Sequence, residues 1–302
     1  MNGLIVLDKP QDFTSFDAVA VMRKILHEKK IGHTGTLDPM ATGVLPILIG
    51  RGTKCADLMP DTDKSYVADF KLGVKTDTLD STGKTLEEGY NKISREKLEE
   101  NFENFRGEIS QIPPMYSAVS VGGKRLYELA RQGIEVERES RKIFISELVL
   151  TDYDEETGEG KLRVSCSKGT YIRTLIDDIA VSLGLCGGIM TALRRVKACG
   201  FTAEDALTLD ELKALADEGK IDTVLRGLDG LFDMYRKVTV SPAQQKRFLN
   251  GGELALDRLR LKFREDKERV RVMSADGKLF LGIAEADLEK GELKLVKILY
   301  VE

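Results

Sequence analysis

The segment Gly32-His-Thr-Gly-Thr-Leu-Asp-Pro-Met-Ala-Thr-Gly-Val-Leu-Pro46 constrains this chain more than any other. Small polar residues lose much conformational entropy on ordering and bury little in return. A loop over Gly32–Gly43 is therefore expected, with a backbone suited to close approach of a ligand. Pro39 pushes Asp38 towards an extended conformation and away from helix. Taken alone, Asp38-Pro39 also reads as a turn closed by a hydrogen-bonding carboxylate. The loop is framed by two apolar runs expected to be buried strands, Leu4–Leu7, closed by Asp8-Lys9-Pro10, and Val44–Ile49.

Between the frames, Thr14 or Ser15 can cap a helix with the stripe Phe16, Val19, Met22 and Leu26. Further strands are expected at Ser65–Gly73, Ile143–Leu150 and Leu162–Cys166, and helices around Leu98–Phe105 and over Thr174–Leu183. Strands and helices alternate without a regular βαβ beat, so the fold class is α+β with a largely antiparallel sheet flanked by helices. After Phe201 the texture changes. Thr208-x-x-Glu211 has the pattern of a capping box, Ser241-Pro242 opens a short helix, and Val270–Met273, Leu279–Ile283 and Leu293–Val301 read as strands. The boundary is placed at residue 236, giving a large domain over 1–235 and a small, mostly β domain over 236–302.

Composition narrows the function class. No apolar stretch approaches the roughly 18 residues needed to cross a bilayer, and MNGLIVLDKP lacks signal-peptide architecture. Four scattered cysteines without CxxC spacing and only two histidines argue against disulfides and against a metal site. The expectation is a reduced, cytoplasmic, soluble protein with no membrane partner. Gly83-Lys84-Thr85 ends like a phosphate-binding loop, but the glycine required five residues earlier is Thr78. The net charge of −4 conceals segregation: residues 161–200 carry seven bases against two acids, and 236–271 eleven against five. Such segments suit a phosphate-rich partner and are equally compatible with solvated surface.

Individually the candidate residues are ambiguous. Arg173, placed just before a helix, is either a bidentate partner for a carboxylate or a surface cation. Tyr66, beside Lys64, is either core or a stacking platform. His33 is either a stacking ring or a loop hydrogen-bonding residue.

Taken together, the segments resemble the TruB family of bacterial tRNA pseudouridine synthases acting on the T loop. The matching pieces run in the family's order: Leu7-Asp-Lys-Pro10 with Thr14-Ser15, then Gly32 to Pro46, then Lys64-Ser-Tyr66. Gly73-x-x-Thr-Asp-Thr-x-Asp-x-x-Gly83, Pro113-Pro-Met-Tyr-Ser-Ala-Val119 and Arg125-Leu-Tyr-Glu128 follow. Ser167-Lys-Gly-Thr-Tyr-Ile-Arg173 and Leu193-Arg-Arg195 complete the set.

The resemblance implies a pseudouridine-synthase fold with a small PUA-like RNA-binding domain behind it. It implies isomerisation of uridine to pseudouridine at position 55 of the tRNA T loop, with no metal or organic cofactor. Asp38 stands at the catalytic aspartate, attacking C1′ or C6 or deprotonating the sugar. Arg173 is expected to pair with Asp38. Tyr66 is expected to pack on the target base, His33 to support flipped-out nucleotides, and Tyr171 and Leu193 to line the uracil pocket. Lys9 and Lys64, with Lys124, Arg125, Arg131 and Arg141 in or beside an insertion at about 117–142, are the RNA-contacting set, although the Lys9-Pro10 motif also reads as support for the catalytic loop. The expected partner is the T-arm stem-loop of tRNA, met by a monomer without guide RNA.

The chain departs from the family pattern at four places. Asp12 stands where glycine is usual, Gly52 where alanine is, Ala180 where glycine is, and Gly188-Ile189 where alanine and histidine are. Two other readings stay open: an RNA-binding or RNA-folding protein, which would tolerate Asp38→Asn, and a guide-RNA-dependent synthase working inside a larger complex.

Overall fold

The computed structural model describes residues 1–59 and 62–300. β1 (Gly3–Lys9) leads into helix α1 (Ser15–Ile25), and β2 (Ile31–His33) folds back antiparallel on β3 (Thr42–Ile49). β1 is also antiparallel to β3, with Leu7 opposite Leu45. β3 runs parallel to a long strand, Gly188–Ala198, which is antiparallel to β4 (Lys64–Leu72). Beyond β4 the sheet continues antiparallel through Glu159–Cys166, Arg141–Asp154 and Gly107–Gln111. One parallel contact in an otherwise antiparallel path gives the expected α+β architecture.

Period-two alternation decides the faces. On β4, Tyr66, Ala68, Phe70 and Leu72 turn inward and join Ala18, Val19 and Met22 of α1. Leu175, Ile176 and Ile179 of the helix Ile172–Ser182 close the same core. Each of the valine, leucine, isoleucine, methionine and phenylalanine side chains among them contributes about 1.5–3 kcal/mol by leaving water. The capping box of α1 forms at Thr14: the Asp17 N–H donates to its hydroxyl, and the Asp17 carboxylate accepts the Thr14 N–H.

Several expectations need correction. Phe16 is 74% exposed and leaves the α1 stripe. Ser15 turns inward instead, its hydroxyl accepting the Leu37 N–H at 2.9 Å, so the next position faces outward. Gly32 and His33 belong to β2, which shortens the loop at its start. The helix expected from Thr174 begins at Ile172, which puts Arg173 inside its first turn. The Gly188–Ala198 strand lies in the middle of the sheet, where the sequence pattern predicts no element.

Two of the four departures explain each other. A Cβ built at Gly188 would lie 2.9 Å from the Ala180 Cβ. Against the pattern that the resemblance implies, glycine and alanine exchange places across the contact between helix and strand, so one methyl fills the space in either arrangement. Asp12 carries φ +62°, the left-handed conformation that glycine adopts without cost.

A second sheet begins at Arg236. Its order is Arg236–Thr239, Arg269–Met273, Phe280–Asp287, Glu292–Ile298, Leu254–Ala255. The last expected strand reached Val301, which with Glu302 lies outside the described residues. The two sheets share a core in which Ile283 and Leu299 pack with Leu4, Val6, Leu48 and Phe232. Buried Arg271 adds ion pairs to Asp229 at 3.0 Å and Asp233 at 2.5 Å. Among the described residues, no helix is long and apolar enough to cross a membrane.

Candidate active site

The hairpin of β2 and β3 projects the segment 34–41, and two buried cations hold it. Lys9, at the end of β1, donates from Nζ to the carbonyls of Pro10 (2.8 Å), Phe13 (2.6 Å) and Pro39 (3.3 Å). It is fully buried, and burial pushes its ammonium down to about 8. Lys9 therefore cannot contact RNA, and its place in that set is corrected: it braces the residue that follows Asp38. Arg195, on the Gly188–Ala198 strand, donates from Nε to Val44 O (2.7 Å) and from Nη2 to Gly35 O (3.3 Å). That approach requires Gly43, where φ is +103° and a Cβ would fall 2.2 Å from the Arg195 carbonyl.

Asp38 meets Arg173 across the cleft that results. Arg173 Nη2 lies 3.0 Å from Asp38 Oδ2, and Nη1 lies 3.5 Å from Asp80 Oδ2. The guanidinium also donates to Thr78 O at 2.8 Å and Tyr116 O at 3.0 Å. Asp80 is itself fixed, accepting from the hydroxyls of Thr78 (2.7 Å) and Thr82 (2.6 Å) and from the Thr82 N–H (3.0 Å). Arg173 and Asp80 are buried, while Asp38 is about two-fifths exposed. Its carboxylate is thus held in place by a preorganised cation while staying open to the cleft.

The cleft has a volume of about 290 Å³, at the small end of ligand pockets. Gly35–Asp38 form one wall, Tyr66 and Leu193 line the sheet side, and Tyr116, Tyr171 and Lys64 complete it. The Tyr171 backbone is clamped by Gln111, whose side chain both donates to and accepts from it, at 3.0 and 2.8 Å. Burial pushes the Tyr66 phenol up to about 12, opposed first by the charge of Arg195. Burial likewise lowers the Lys64 ammonium, whose Nζ donates to Thr62 O at 3.1 Å.

The structure brings Asp38, Arg173, Tyr66, Lys64, Tyr171 and Leu193 to one cleft and leaves His33 outside its lining. His33 stands on β2, edge-on to the exposed ring of Phe16 with centroids 6.0 Å apart. Burial, helped by Arg195, lowers its imidazole below the ordinary value, and its Nδ1 has no partner. Lys124, Arg125, Arg131 and Arg141 are all exposed. The first two form one arm of a small hairpin, Ser120–Val121 with Lys124–Arg125, whose following helix, Leu126–Ala130, buries Leu126 and Leu129. Arg131 lies over the Tyr127 ring at 5.6 Å, and Arg141 starts a strand of the main sheet.

Sequence reasoning missed Asp80, Tyr116 and Arg195 as site residues. All three stand inside motifs already quoted, but what each does comes from contacts between distant segments. Among the described residues, no group of three or more His, Cys, Asp or Glu is arranged to hold a metal ion.

Comparison with known proteins matches residues 23–172 to the TruB family pseudouridylate synthase N-terminal domain. Residues 173–233 match the tRNA pseudouridylate synthase B C-terminal domain. A protein of Azoarcus sp. (strain BH72) named tRNA pseudouridine synthase B is 46% identical over 254 residues, 84% of this chain and 83% of that one. A protein of the same name from Bacillus pumilus (strain SAFR-032) is 40% identical over 304 residues, covering 99% and 98%. Among solved structures, a Cbf5-Nop10-Gar1 complex aligns with TM-score 0.73 at 25% identity, over 98% of this chain and 84% of that one. An H/ACA RNP bound to a substrate RNA containing 2′-deoxyuridine aligns with TM-score 0.72 at 23% identity, over 98% and 84%, and shares the fold. With relatives this similar over nearly its whole length, the chain belongs to the TruB family of pseudouridine synthases.

Proposed function

We propose that this protein isomerises uridine to pseudouridine at position 55 in the T loop of tRNA. The observation that carries the reading is the Asp38–Arg173 ion pair on the wall of a nucleotide-sized cleft that Tyr66 also lines. Curated relatives matched from end to end and named tRNA pseudouridine synthase B support the substrate class.

A base inside a folded loop is inaccessible, so it must leave the stack at a cost of a few kcal/mol, offset by stacking and phosphate contacts. Within the cleft the N1–C1′ bond breaks, the uracil turns, and C5 bonds to C1′. Asp38 supplies the carboxylate, by attack at C1′ or C6 or by deprotonating the sugar. Arg173 orients it. Tyr66 packs on the base and accepts the C5 proton, Tyr171 and Leu193 line the uracil site, and His33 supports neighbouring nucleotides.

The RNA-contacting cations are Lys64, Lys124, Arg125, Arg131 and Arg141, most of them in or beside the insertion over residues 117–142. Residues 1–235 act as the catalytic domain and 236–302 as a small PUA-like RNA-binding domain. The protein works as a cytoplasmic monomer and needs no guide RNA.

The test is to incubate the purified chain with an unmodified tRNA transcript and map pseudouridine by mass spectrometry of nuclease fragments. One modified uridine, at position 55, is expected with no other RNA added. Products at scattered uridines, or activity only after adding a second RNA, would contradict the proposal.

A further inference from the structure

Arg195 is the largest fully buried side chain among the described residues, with 0% of its surface exposed. It stands directly opposite Tyr66 in the antiparallel register of the Gly188–Ala198 strand and β4, so both side chains project from the same face of the sheet. Its other neighbour, β3, pairs Gly43 beside it in parallel. Nε and Nη2 each donate to a carbonyl of the catalytic hairpin. Nη1 is buried and has no hydrogen-bond partner.

An unpaired buried donor costs about 1–3 kcal/mol, and more for a charged group, so native structures rarely keep one without a use. Nη1 lies 3.8 Å from where a Cβ on Gly35 would be, and Gly35 lines the cleft. The cation therefore sits behind the cleft wall with a donor to spare, next to a phenol that faces the same cleft. Arg195 has no carboxylate partner among the described residues, so its charge is not neutralised locally. The two groups feel each other: the positive charge opposes the burial that raises the Tyr66 phenol, and Tyr66 is the first influence opposing the burial that lowers Arg195.

We propose that Arg195 is a positioning residue for proton removal at C5, holding the Tyr66 oxygen with its unused Nη1–H and stabilising negative charge there. The proposal rests on the reading of Tyr66 as the C5 base. Once C5 has bonded to C1′, C5 carries both the sugar and its hydrogen. The Tyr66 phenolate takes that proton, the C–H electron pair becomes the C5=C6 double bond, and the C6=N1 pair moves to N1. N1 is protonated from solvent, and the phenol returns its proton to solvent. Arg195 touches neither base nor sugar, and its effect passes through the oxygen of Tyr66.

The test uses single-turnover conversion of tRNA transcripts carrying hydrogen or deuterium at uridine C5, with wild-type chain and Arg195→Lys. Lysine keeps the charge but loses the fork that reaches three directions. The expected result is a rate at least tenfold lower, a C5 isotope effect larger than in wild type, and tRNA affinity within twofold. An unchanged rate overturns the proposal. So does a slower rate with an unchanged isotope effect, because a merely structural arginine would lower the active fraction without making C5–H cleavage more limiting. Absence of pseudouridine with the wild-type chain would instead remove the proposed function.

If Arg195→Lys does not fold, the guanidinium can be followed with arginine in place. In chain with 15N-labelled arginine, the Arg195 Nη resonance is expected to shift on tRNA binding in wild type and to stay fixed in Tyr66→Phe. Identical behaviour in the two proteins overturns the proposal.

Discussion

Arg173 Nη2 stands 3.0 Å from Asp38 Oδ2 while its other nitrogen, Nη1, faces Asp80, so one buried guanidinium spans two carboxylates. Asp38 is the partly exposed partner and Asp80 the buried one, which makes Asp80 the anchor of the arrangement. Asp80→Asn removes that anchor charge and leaves Arg173 held by Asp38 and two carbonyls. The expected result is a kcat lower by about 10- to 100-fold, KM within threefold, and a stability loss of about 1–3 kcal/mol. Steady-state kinetics with thermal unfolding check it, and an unchanged kcat would remove Asp80 from the account.

Lys9 separates support from RNA contact. Lys9→Met leaves three part-buried carbonyls without their donor, so a loss of about 1–3 kcal/mol is expected, with Tm lower by about 2–10 °C. For the folded fraction, the slope of tRNA affinity against salt should not change, since a buried ammonium neutralises no phosphate. A shallower slope would return Lys9 to the RNA-contacting set.

The exchange of glycine and alanine at 188 and 180 has a direct consequence. Gly188→Ala places a methyl 2.9 Å from the Ala180 Cβ and is expected to cost about 1–3 kcal/mol as overpacking. Adding Ala180→Gly should recover part of that loss, though not all, because a Cβ at 188 also comes within 3.1 Å of the Ile176 carbonyl. Urea unfolding of the two single variants and the double variant measures the coupling. Additive losses would show that the two departures are unrelated.

Asp178 gives the fold a pH dependence. Burial, with the neighbouring Asp177 charge, raises its carboxyl from 3.8 to about 6. Below the unfolded value both states are protonated and burial costs nothing. Above the folded value both are ionised and the full cost is present, so this contribution lowers stability as pH rises from about 4 to 6. Asp178→Asn should therefore stabilise by about 1 kcal/mol at pH 7, after discounting for solvent screening, and by nothing at pH 3.5. Melting curves at the two pH values test the sign, and an equal gain at both would contradict it.

How much was legible depended on where the deciding contacts lie. β1, β4 and the Thr14 cap follow from local pattern, because alternation and the Thr14/Asp17 pair act within a few residues. Asp38 stood out because its loop is one contiguous motif. The Gly188–Ala198 strand did not, because two arginines interrupt its apolar pattern. Arg194 turns outward to Asp8 at 2.7 Å, whereas Arg195 turns inward to carbonyls about 150 residues away in sequence. Phe16 misled for the opposite reason, a large apolar side chain placed outside the core beside His33. Lys9 reads from sequence both as an RNA contact and as support for the catalytic loop, and only tertiary structure supplies the three carbonyls that make its burial tolerable. Arg173 was found as a residue, but its second carboxylate was not, since residues 80 and 173 meet only in the fold.

The central claim is that Asp38 carries out chemistry on a tRNA uridine. It is tested most directly by tritium release from a transcript labelled at uridine C5, with wild-type chain and Asp38→Asn compared at equal tRNA occupancy. The account predicts release matching one uridine per tRNA from wild type. It predicts a rate lower by at least 10³-fold in the variant, with tRNA affinity within a few-fold. Tight tRNA binding by wild type without any release, or equal release from the two proteins, would contradict it.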